Sequence, residues 1–500
     1  MTISSAVDAS AVARVVGIKT TFKDLRAGGV LFLPQRIAVV GQGASAATYS
    51  TTKAQHTSAF AVGQAYGFGS PLHLAAKQLF PTNGDGVGTI PVTFYPLRDD
   101  GAGVPAAGDI TPSGAATGTG TFRIKINNIA SEQFTVLAGD TVADICDKIV
   151  VAMSAVLDLP VLVTDNTTDV GVAAKWGGLS GNDLFIELEA TAEDNSGISF
   201  AFTQPTGGAA DPDISTATDQ IGNVWETLVL NCFNKSNTTA LDDLQTFGEG
   251  RWGALVRKPF VSFIGATDTT VNAAIAVPDA RKTDRVNAQL VAPGSNDLPL
   301  VVAARQLARI AVIANNNPPR DYGSLQATGL TPGADGDQWL YTARDQAVKG
   351  GSSTIEVKDG VVNLSDTVTF FHPDGDPIPA YRYVADVIKL QNIIFNLDLI
   401  FAVPEWDGAP LIPDDQPTVN RDAKQPKAAV AAVAALTDSL ALNAIISDPE
   451  TAKASIQAGI NPQNPKRLDV RVTYQLSGNT NIISIDLDFG FYFGTAPLVA

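Results

Sequence analysis

The chain has 500 residues, of which 45% are hydrophobic and 17% are charged. A chain of this length and composition can build several ordinary cores, about three at roughly 150 residues per domain. Its 34 Lys and Arg residues against 51 Asp and Glu residues give a net charge of −17. Such an acidic surface repels phosphate backbones and anionic lipid, so we expect no nucleic-acid partner and no membrane-surface partner.

Cysteine usage and apolar runs point to a soluble, intracellular product. The two cysteines, Cys146 and Cys232, are too few for a disulfide scaffold. Residues 1–10 lack the basic stretch and apolar core of a secretion signal. The longest apolar run, residues 381–403, contains charged side chains such as Asp386 and Lys389, which argues against membrane insertion.

The residues that usually carry catalysis are scarce or scattered. The three histidines (His56, His73 and His372) have no further ligands at metal-binding spacing, and the sequence contains neither a phosphate-binding GxxxxGK[ST] loop nor a GxSxG elbow. Paired carboxylates such as Asp414 and Asp415 lie in Pro/Gly-rich stretches, where they usually form solvated turns. We therefore expect no catalytic residue, no metal and no cofactor, and a protein that is not an enzyme.

One motif leaves an enzymatic alternative open. Residues 36–46 read as a strand followed by GxGxxA, with Gly41 and Gly43 placed as in a dinucleotide fingerprint. That fingerprint also needs a carboxylate about 20 residues further on, and residues 25–84 contain none. The polar, β-branched stretch at 47–52 is also a poor start for the required helix. A buried strand ending in a glycine turn is the simpler interpretation, and a dinucleotide-dependent enzyme is the alternative.

Hydrophobic periodicity predicts a mixed chain of strands and helices. In chain order, the predicted elements are strands at 16–22, 36–40 and 90–96 with a helix at 71–80 between the last two, strands at 122–126 and 134–136, a helix at 142–156, strands at 184–188 and 198–202, a helix at 241–247, a strand at 259–264, a helix at 298–314, a hairpin over 354–364, a helix at 387–401 and a helix from Pro449 to about Ala458.

The sharpest alternation lies at the C-terminal end. Apolar residues alternate with polar ones over 468–476 and again from Ile483 to Phe493, which predicts a long hairpin with one fully apolar face. Such a face cannot stay in water, because each buried Ile, Leu or Phe is worth ~1.5–3 kcal/mol. It packs either on its own domain or against a neighbouring subunit by strand exchange, and the pattern alone leaves both open.

The order of several segments resembles the Mu-like contractile tail sheath proteins of bacteriophages. The matching segments are residues 35–43 (QRIAVVGQG), 65–72 (AYGFGSPL), 96–101 and 108–120, 181–183 (GND), 207–214 (GGAADPDI), 244–253 (ending in RWG) and 349–355 (KGGSSTI).

The resemblance implies an α+β or mixed α/β multi-domain fold with strand-exchanging terminal arms. In this scheme, the tube-facing α/β domain is built from both chain ends, and a β-rich protruding domain is inserted in a middle α/β domain. The implied boundaries are an N-terminal arm at 1–27, a middle domain at 28–104 and 221–375, an inserted outer domain at 105–220, a tube-facing domain at 376–479 and a C-terminal arm at 480–500.

The function implied is that of a structural subunit. Such subunits polymerise in six-fold rings around a tail tube, wait in a metastable extended state, and contract to drive the tube through the host cell envelope during genome delivery. The implied partners are other copies of the chain, the tail tube protein, and the baseplate and tail terminator proteins, in a virion assembled in the host cytoplasm. The alternatives are a tail-derived, bacteriocin-like contractile injection particle and another virion or surface β-protein, such as a spike or capsid element.

Pattern and resemblance together nominate three groups of site residues. The residues nominated for tube contact could alternatively form a charged face that is simply exposed to solvent. The groups are Val16, Ile18, Phe22, Ile483, Ile485, Leu487, Phe489 and Phe491 for inter-subunit strand exchange, Gly28, Gly29 and Gly459 for hinges, and Glu450, Lys453 and Gln457 for tube contact.

Overall fold

The computed structural model describes residues 30–191, 193–376 and 380–491. Among these residues the fold divides into two compact units. We call them the larger unit (residues 32–395 and 476–491) and the smaller unit (residues 30–31 and 396–475). The prediction of a mixed α/β, multi-domain chain is confirmed, whereas the individual domain boundaries stay predictions.

The larger unit contains both strands and helices along its length. Its first part contains β1 (Ile37–Gln42), β2 (Ala54–Gln55), α1 (Ala59–Tyr66), α2 (Pro71–Leu79), β3 (Val92–Leu97), β4 (Ala107–Gly114), β5 (Gly120–Ile126), β6 (Ile129–Ala130), β7 (Phe134–Val136), α3 (Val142–Ser154), β8 (Val161–Asp165), β9 (Val170–Ala174), a 3₁₀ turn (Leu179–Asp183), β10 (Ile186–Ala190) and β11 (Ile198–Thr206).

The chain then continues with a second α/β stretch. It contains α4 (Ser215–Ile221), β12 (Leu228–Asn231), α5 (Thr238–Arg251), β13 (Val261–Ala266), α6 (Val271–Asp279), β14 (Asn287–Val291), α7 (Pro299–Asn316), α8 (Tyr341–Lys349), β15 (Thr354–Lys358), β16 (Val361–Asp366) and α9 (Val384–Phe401).

A parallel sheet forms the centre of the larger unit. Within the described residues its order is β14-β13-β12-β1-β3-β2, with every pair parallel except the short antiparallel edge of β2 on β3. Ile37 and Val39 share a core with α2 and α7, whereas Ala38 and Val40 share one with α4 and α5. Both faces of β1 are therefore covered, which explains why its sequence is continuously apolar rather than alternating.

Between β3 and β12 the chain leaves the parallel sheet, and residues 107–206 form a separate region. Apart from Ala192, which is not described, they form two antiparallel four-stranded sheets, one with the order β11-β4-β9-β8 and one in which β5 pairs with β6, β7 and β10. Helix α3 packs on this region and begins with a capping box: Asp144 N donates to Thr141 Oγ1 (3.2 Å) and Thr141 N donates to the Asp144 carboxylate (2.9 Å).

The two ends of this excursion are held together at its base. Val104 N donates to Ala209 O (2.9 Å), and Ala209 N donates back to Val104 O (3.1 Å). This pair of hydrogen bonds closes a neck between the antiparallel sheets and the parallel sheet.

The predicted hairpin over 354–364 is also confirmed. Strands β15 and β16 pair antiparallel through a turn at Asp359 (φ 51°) and Gly360 (φ 75°). Two consecutive positive φ angles are what a two-residue hairpin turn of matching twist requires, and Asp-Gly tolerates them.

The smaller unit is helical with short strand pairs. It contains the end of α9, then α10 (Pro426–Leu442), β17 (Ile446–Ser447), α11 (Pro449–Ala454), β18 (Gln457–Ile460), β19 (Leu468–Arg471) and β20, which starts at Gln475 and extends to Leu476. Strands β18 and β19 form an antiparallel hairpin that packs on α10.

Two predictions for the C-terminal region are wrong. Residues 468–471 pair with β18, not with residues 483–491, because the short loop at 461–467 closes at a smaller entropic cost than the longer connection. The helix that begins at Pro449 ends at Ala454 rather than near Ala458, and Ser455 Oγ instead accepts a hydrogen bond from Thr473 N (2.9 Å).

No helix among the described residues is both long and apolar enough to cross a membrane. The predicted strand at 16–22 lies outside the described residues.

The close approach of α7 to β13 gives a test of the packing. A Cβ added at Gly265 would overlap the backbone carbonyl of Pro299 at the start of α7. We expect Gly265→Ala to lower the free energy of unfolding by roughly 1–3 kcal/mol or more, since backbone cannot yield as a side chain can. Gly336→Ala is the control, because nothing lies within 4 Å of its added Cβ. Equal melting temperatures for the two variants would contradict this packing.

A buried histidine gives a pH test. His73 on α2 is buried, its Nδ1 accepts a hydrogen bond from Gly69 N (3.0 Å), and burial lowers its pKa from 6.5 to about 4 despite the opposing effect of Asp158. Between these two pH values the unfolded chain binds a proton at this histidine and the folded chain does not. The contribution of His73 to stability is therefore lost as the pH falls from 6.5 towards 4, by at most about 1.4 kcal/mol per pH unit.

We expect the wild type to lose stability more steeply than His73→Gln in this pH window, measured by chemical denaturation at intervals from pH 7 to 4.5. Parallel pH profiles for the two proteins would show that His73 is not held neutral.

Candidate assembly site

The C-terminal segment of the larger unit, residues 482–491, exposes a series of large apolar side chains. The side chains of Ile483, Ile485, Leu487, Phe489 and Phe491 are between 75% and 82% exposed. Polar residues such as Ser484 and Asp486 alternate with them, so a strand conformation would gather the apolar side chains on one face. Burying these five side chains would contribute roughly 8–15 kcal/mol, which the isolated chain does not gain.

The backbone of residues 482–490 is available for pairing. None of residues 482–490 belongs to a strand, and none makes a backbone hydrogen bond to another described residue. An extended stretch with open N–H and C=O groups and one apolar face is a template for pairing with another chain. Of the two alternatives left open by the sequence, packing of this face on its own domain is not what the described residues show.

The start of this segment, in contrast, is fixed to the body of the larger unit. Lys389 Nζ on α9 donates to Ser477 O (2.6 Å) and to Asn479 Oδ1 (2.7 Å), and Asn479 Nδ2 donates to Pro319 O (2.8 Å). From the sequence, Lys389 is only a charge that argues against a membrane span. The signal that could have found its role is the close spacing of Lys389, Gln391 and Asn392 within a helix that is largely apolar.

Some of the nominated site residues are not among those that the structure describes. Val16, Ile18, Phe22, Gly28 and Gly29 lie outside the described residues.

Gly459 lies within β18, where it pairs with Asp469 of β19. Paired backbone restrains this position, so it lacks the free loop that a hinge needs, and its bending stays a prediction.

The three residues nominated for tube contact do not share a helix face. Glu450 and Lys453 lie on α11, but Gln457 opens β18. Lys453 Nζ forms ion pairs with Glu450 (2.7 Å) and with Asp438 of α10 (2.9 Å), and these partners raise the pKa of its ammonium. The pairs tie α11 to α10 and leave the Glu450 carboxylate largely exposed to solvent.

The glycine turn after β1 is shaped by packing. A Cβ at Gly41 would lie 2.8 Å from the Cβ of Cys232, and one at Gly43 would lie 2.7 Å from the carbonyl of Tyr66. No helix follows the turn directly, since the next one begins at Ala59.

The backbone donors that would bind a pyrophosphate there already have partners. Gly43 N donates to Tyr49 Oη (3.1 Å), Ala44 N to Tyr66 O (2.8 Å) and Ser45 N to Lys175 O (2.8 Å). The segment around Lys175 thus occupies the end of β1 where a dinucleotide would lie in a nucleotide-binding sheet. The geometry supports the glycine turn over the dinucleotide alternative.

Among the residues that the structure describes, no group of three or more His, Cys, Asp or Glu side chains is arranged so that it could hold a metal ion.

Comparison with known proteins gives one relative by sequence. No family model matches the chain. The chain is 24% identical over 370 residues to the Mu-like prophage FluMu tail sheath protein of Haemophilus influenzae, covering 72% of this chain and 74% of that protein.

Solved structures also show similarity. The sheath tail protein of Listeria innocua is 12% identical, with a TM-score of 0.48, over 90% of this chain and 94% of that one. The sheath tail protein of Desulfitobacterium hafniense is 11% identical, with a TM-score of 0.43, over 92% and 100%. The contracted baseplate of the anti-feeding prophage contains a chain that is 11% identical, with a TM-score of 0.42, over 97% and 99%. The resemblance to Mu-like tail sheath proteins that the sequence predicts is confirmed by the Haemophilus relative.

Proposed function

We propose that the chain is the structural subunit of a contractile phage tail sheath. It polymerises in six-fold rings around a tail tube, in a metastable extended state, and contracts to drive the tube through the host cell envelope during genome delivery. The observation that carries the proposal is the exposed apolar segment 482–491, because a surface of this kind has to be covered by another molecule. The similarity to a tail sheath protein supports another copy of the chain as that molecule.

Strand exchange is the proposed mode of assembly. Main-chain pairing of the segment with a sheet edge of a neighbour holds the lattice together whatever the side chains are, and the alternating apolar face adds specificity. Each backbone hydrogen bond contributes only about 1 kcal/mol net, but several per strand and many strands per ring make a strong mesh. The N-terminal arm at 1–27 acts in the same way in this proposal.

Contraction follows from rigid bodies and flexible connections. The larger unit moves as a body, the arms keep neighbours connected, and new contacts between bodies bury more surface in the contracted state. The extended state persists because a kinetic barrier separates it from the contracted one. The energy is stored at assembly, so the proposed role needs no nucleotide, cofactor or catalytic residue.

The finer layout belongs to the same proposal. Residues 376–479 face the tube, residues 28–104 and 221–375 form the middle domain, and residues 105–220 protrude outward. The proposed partners are the tail tube protein, the baseplate and the tail terminator, within a virion assembled in the host cytoplasm. A tail-derived injection particle would use the same polymer, and the genes that accompany this one in the genome distinguish the two.

The assembly face gives a direct test. We expect the wild type to form tubes or ring stacks in negative-stain images. In Ile485→Ser/Leu487→Ser the monomer should keep its melting temperature, because both side chains are exposed, while the protein concentration needed for assembly rises on the order of a hundredfold. Sedimentation against protein concentration measures this change.

The matched control is Ser484→Ala/Asp486→Asn, which alters the opposite face of the same segment. It should assemble like the wild type. If the two double variants assembled equally well, the apolar face would not be the assembly surface, and a wild type without any polymer would refute the sheath role.

A further inference from the structure

Three polar residues within one turn of α9 are buried although much of the helix is apolar. Lys389, Gln391 and Asn392 have side chains that are 0% exposed. Burying a lysine ammonium or an amide is costly unless its hydrogen bonds are satisfied, so their partners reveal what the helix holds.

Lys389 holds the start of the C-terminal segment. Its ammonium donates to Asp386 Oδ1 (3.0 Å) on its own helix and to Ser477 O and Asn479 Oδ1, so these acceptors match its three donor hydrogens. Hydrogen bonds to a charged group are about twice as strong as hydrogen bonds between neutral groups. The Lys389 ammonium is also shielded from water.

The charges around the ammonium fit this role. The carboxylates of Asp386, Asp321 and Asp366 lie in the same region, and burial raises the pKa of Asp321, an effect that Lys389 opposes. Lys389 therefore offsets the repulsion among these carboxylates beside the segment's start. Next to the start of the segment lies a polar cavity of about 370 Å³, which is lined by residues 479–481 together with Asp321 and Asp366. This cavity leaves room for the segment to pivot.

Asn392, one turn further along α9, holds the other end of the chain. Its Oδ1 accepts a hydrogen bond from Leu33 N (2.8 Å), and its Nδ2 donates to Ile388 O (2.9 Å), which orients the amide. Residues i and i+3 of a helix lie on neighbouring positions of its surface, so the contacts to residues 33 and 477–479 come from a single turn.

Gln391, between them, fastens the same turn to the parallel sheet. Its Nε2 donates to Pro259 O (3.1 Å) and Thr227 O (3.3 Å), just before β13 and β12. The turn is thus tied to the most rigid part of the larger unit.

We propose that this turn of α9 is a double anchor: Lys389 fixes the root of the C-terminal assembly segment and Asn392 fixes the root of the N-terminal one, so that both segments pivot about neighbouring points on one rigid helix. The anchor positions the arms for capture by other copies, and this consequence rests on the proposed sheath function. The C-terminal pivot then lies at residues 480–482, not at Gly459.

The test measures hydrogen–deuterium exchange on the unassembled full-length chain and polymer formation by sedimentation. In Lys389→Met, which keeps the length of the side chain and removes its donors, exchange over residues 477–481 should rise roughly tenfold or more while β1 and β12 keep their protection. In Asn392→Leu, the rise should be confined to residues 31–35. Lys349→Met, which removes an exposed ion pair with Asp345 on α8, is the control and should change neither segment.

Assembly separates an anchor from a merely structural contact. At an unchanged melting temperature, Lys389→Met should require about tenfold more protein to polymerise, because an unanchored segment loses effective concentration at its target. If Lys389→Met destabilises the whole fold, Asn479→Ala replaces it, since it removes one bond to Lys389 and one to Pro319 at a partly exposed residue.

The outcomes for the anchor and for the function are distinct. Exchange over 477–481 at the wild-type rate in both Lys389→Met and Asn479→Ala would overturn the anchor, even if the wild type forms tubes. Faster exchange in a chain whose wild type never polymerises would support the anchor and refute the sheath role.

Discussion

A segment that exposes an apolar side chain at every second residue and leaves its backbone groups open cannot be a final state in water. Residues 482–490 have both properties. Their burial requires a surface that the described part of the larger unit does not provide. The proposed role meets this requirement, because a chain that covers such a face with another copy of itself can form a lattice.

The parallel sheet answers the opposite need, which is rigidity. Its strands are covered on both faces, and Gln391 links α9 to the strand starts through buried hydrogen bonds. A packed frame of this kind transmits displacement with little deformation. An exposed segment becomes a useful connector only when its root is fixed to such a frame, since a loose root would let the lattice stretch without moving the bodies.

Much of the fold follows from sequence, and the exceptions have physical causes. Helix α3 is predicted closely because its capping box at Thr141 and its apolar stripe agree on the same boundaries. The alternation over 468–491 correctly marks extended apolar segments, but a period of two residues says nothing about the partner, so the predicted hairpin is wrong.

The candidate site divides in the same way. The exposed residues Ile483 to Phe491 are predictable from alternation, whereas the role of Lys389 is not, because two of its three acceptors, Ser477 O and Asn479 Oδ1, come from residues distant in sequence. The helix predicted to run to about Ala458 includes Gln457, but the observed helix ends three residues before it. In the structure Gln457 pairs with Arg471, and this strand pairing replaces helical hydrogen bonds.

The neck at Val104 and Ala209 has a wider consequence. The chain leaves the parallel sheet after β3 and returns to it before β12 through adjoining backbone. The inserted region of about one hundred residues therefore has its two ends next to each other. Nothing in the register of the parallel strands depends on how long or how elaborate that region is. The parallel sheet can therefore keep its strand order and register while the inserted sheets vary in size.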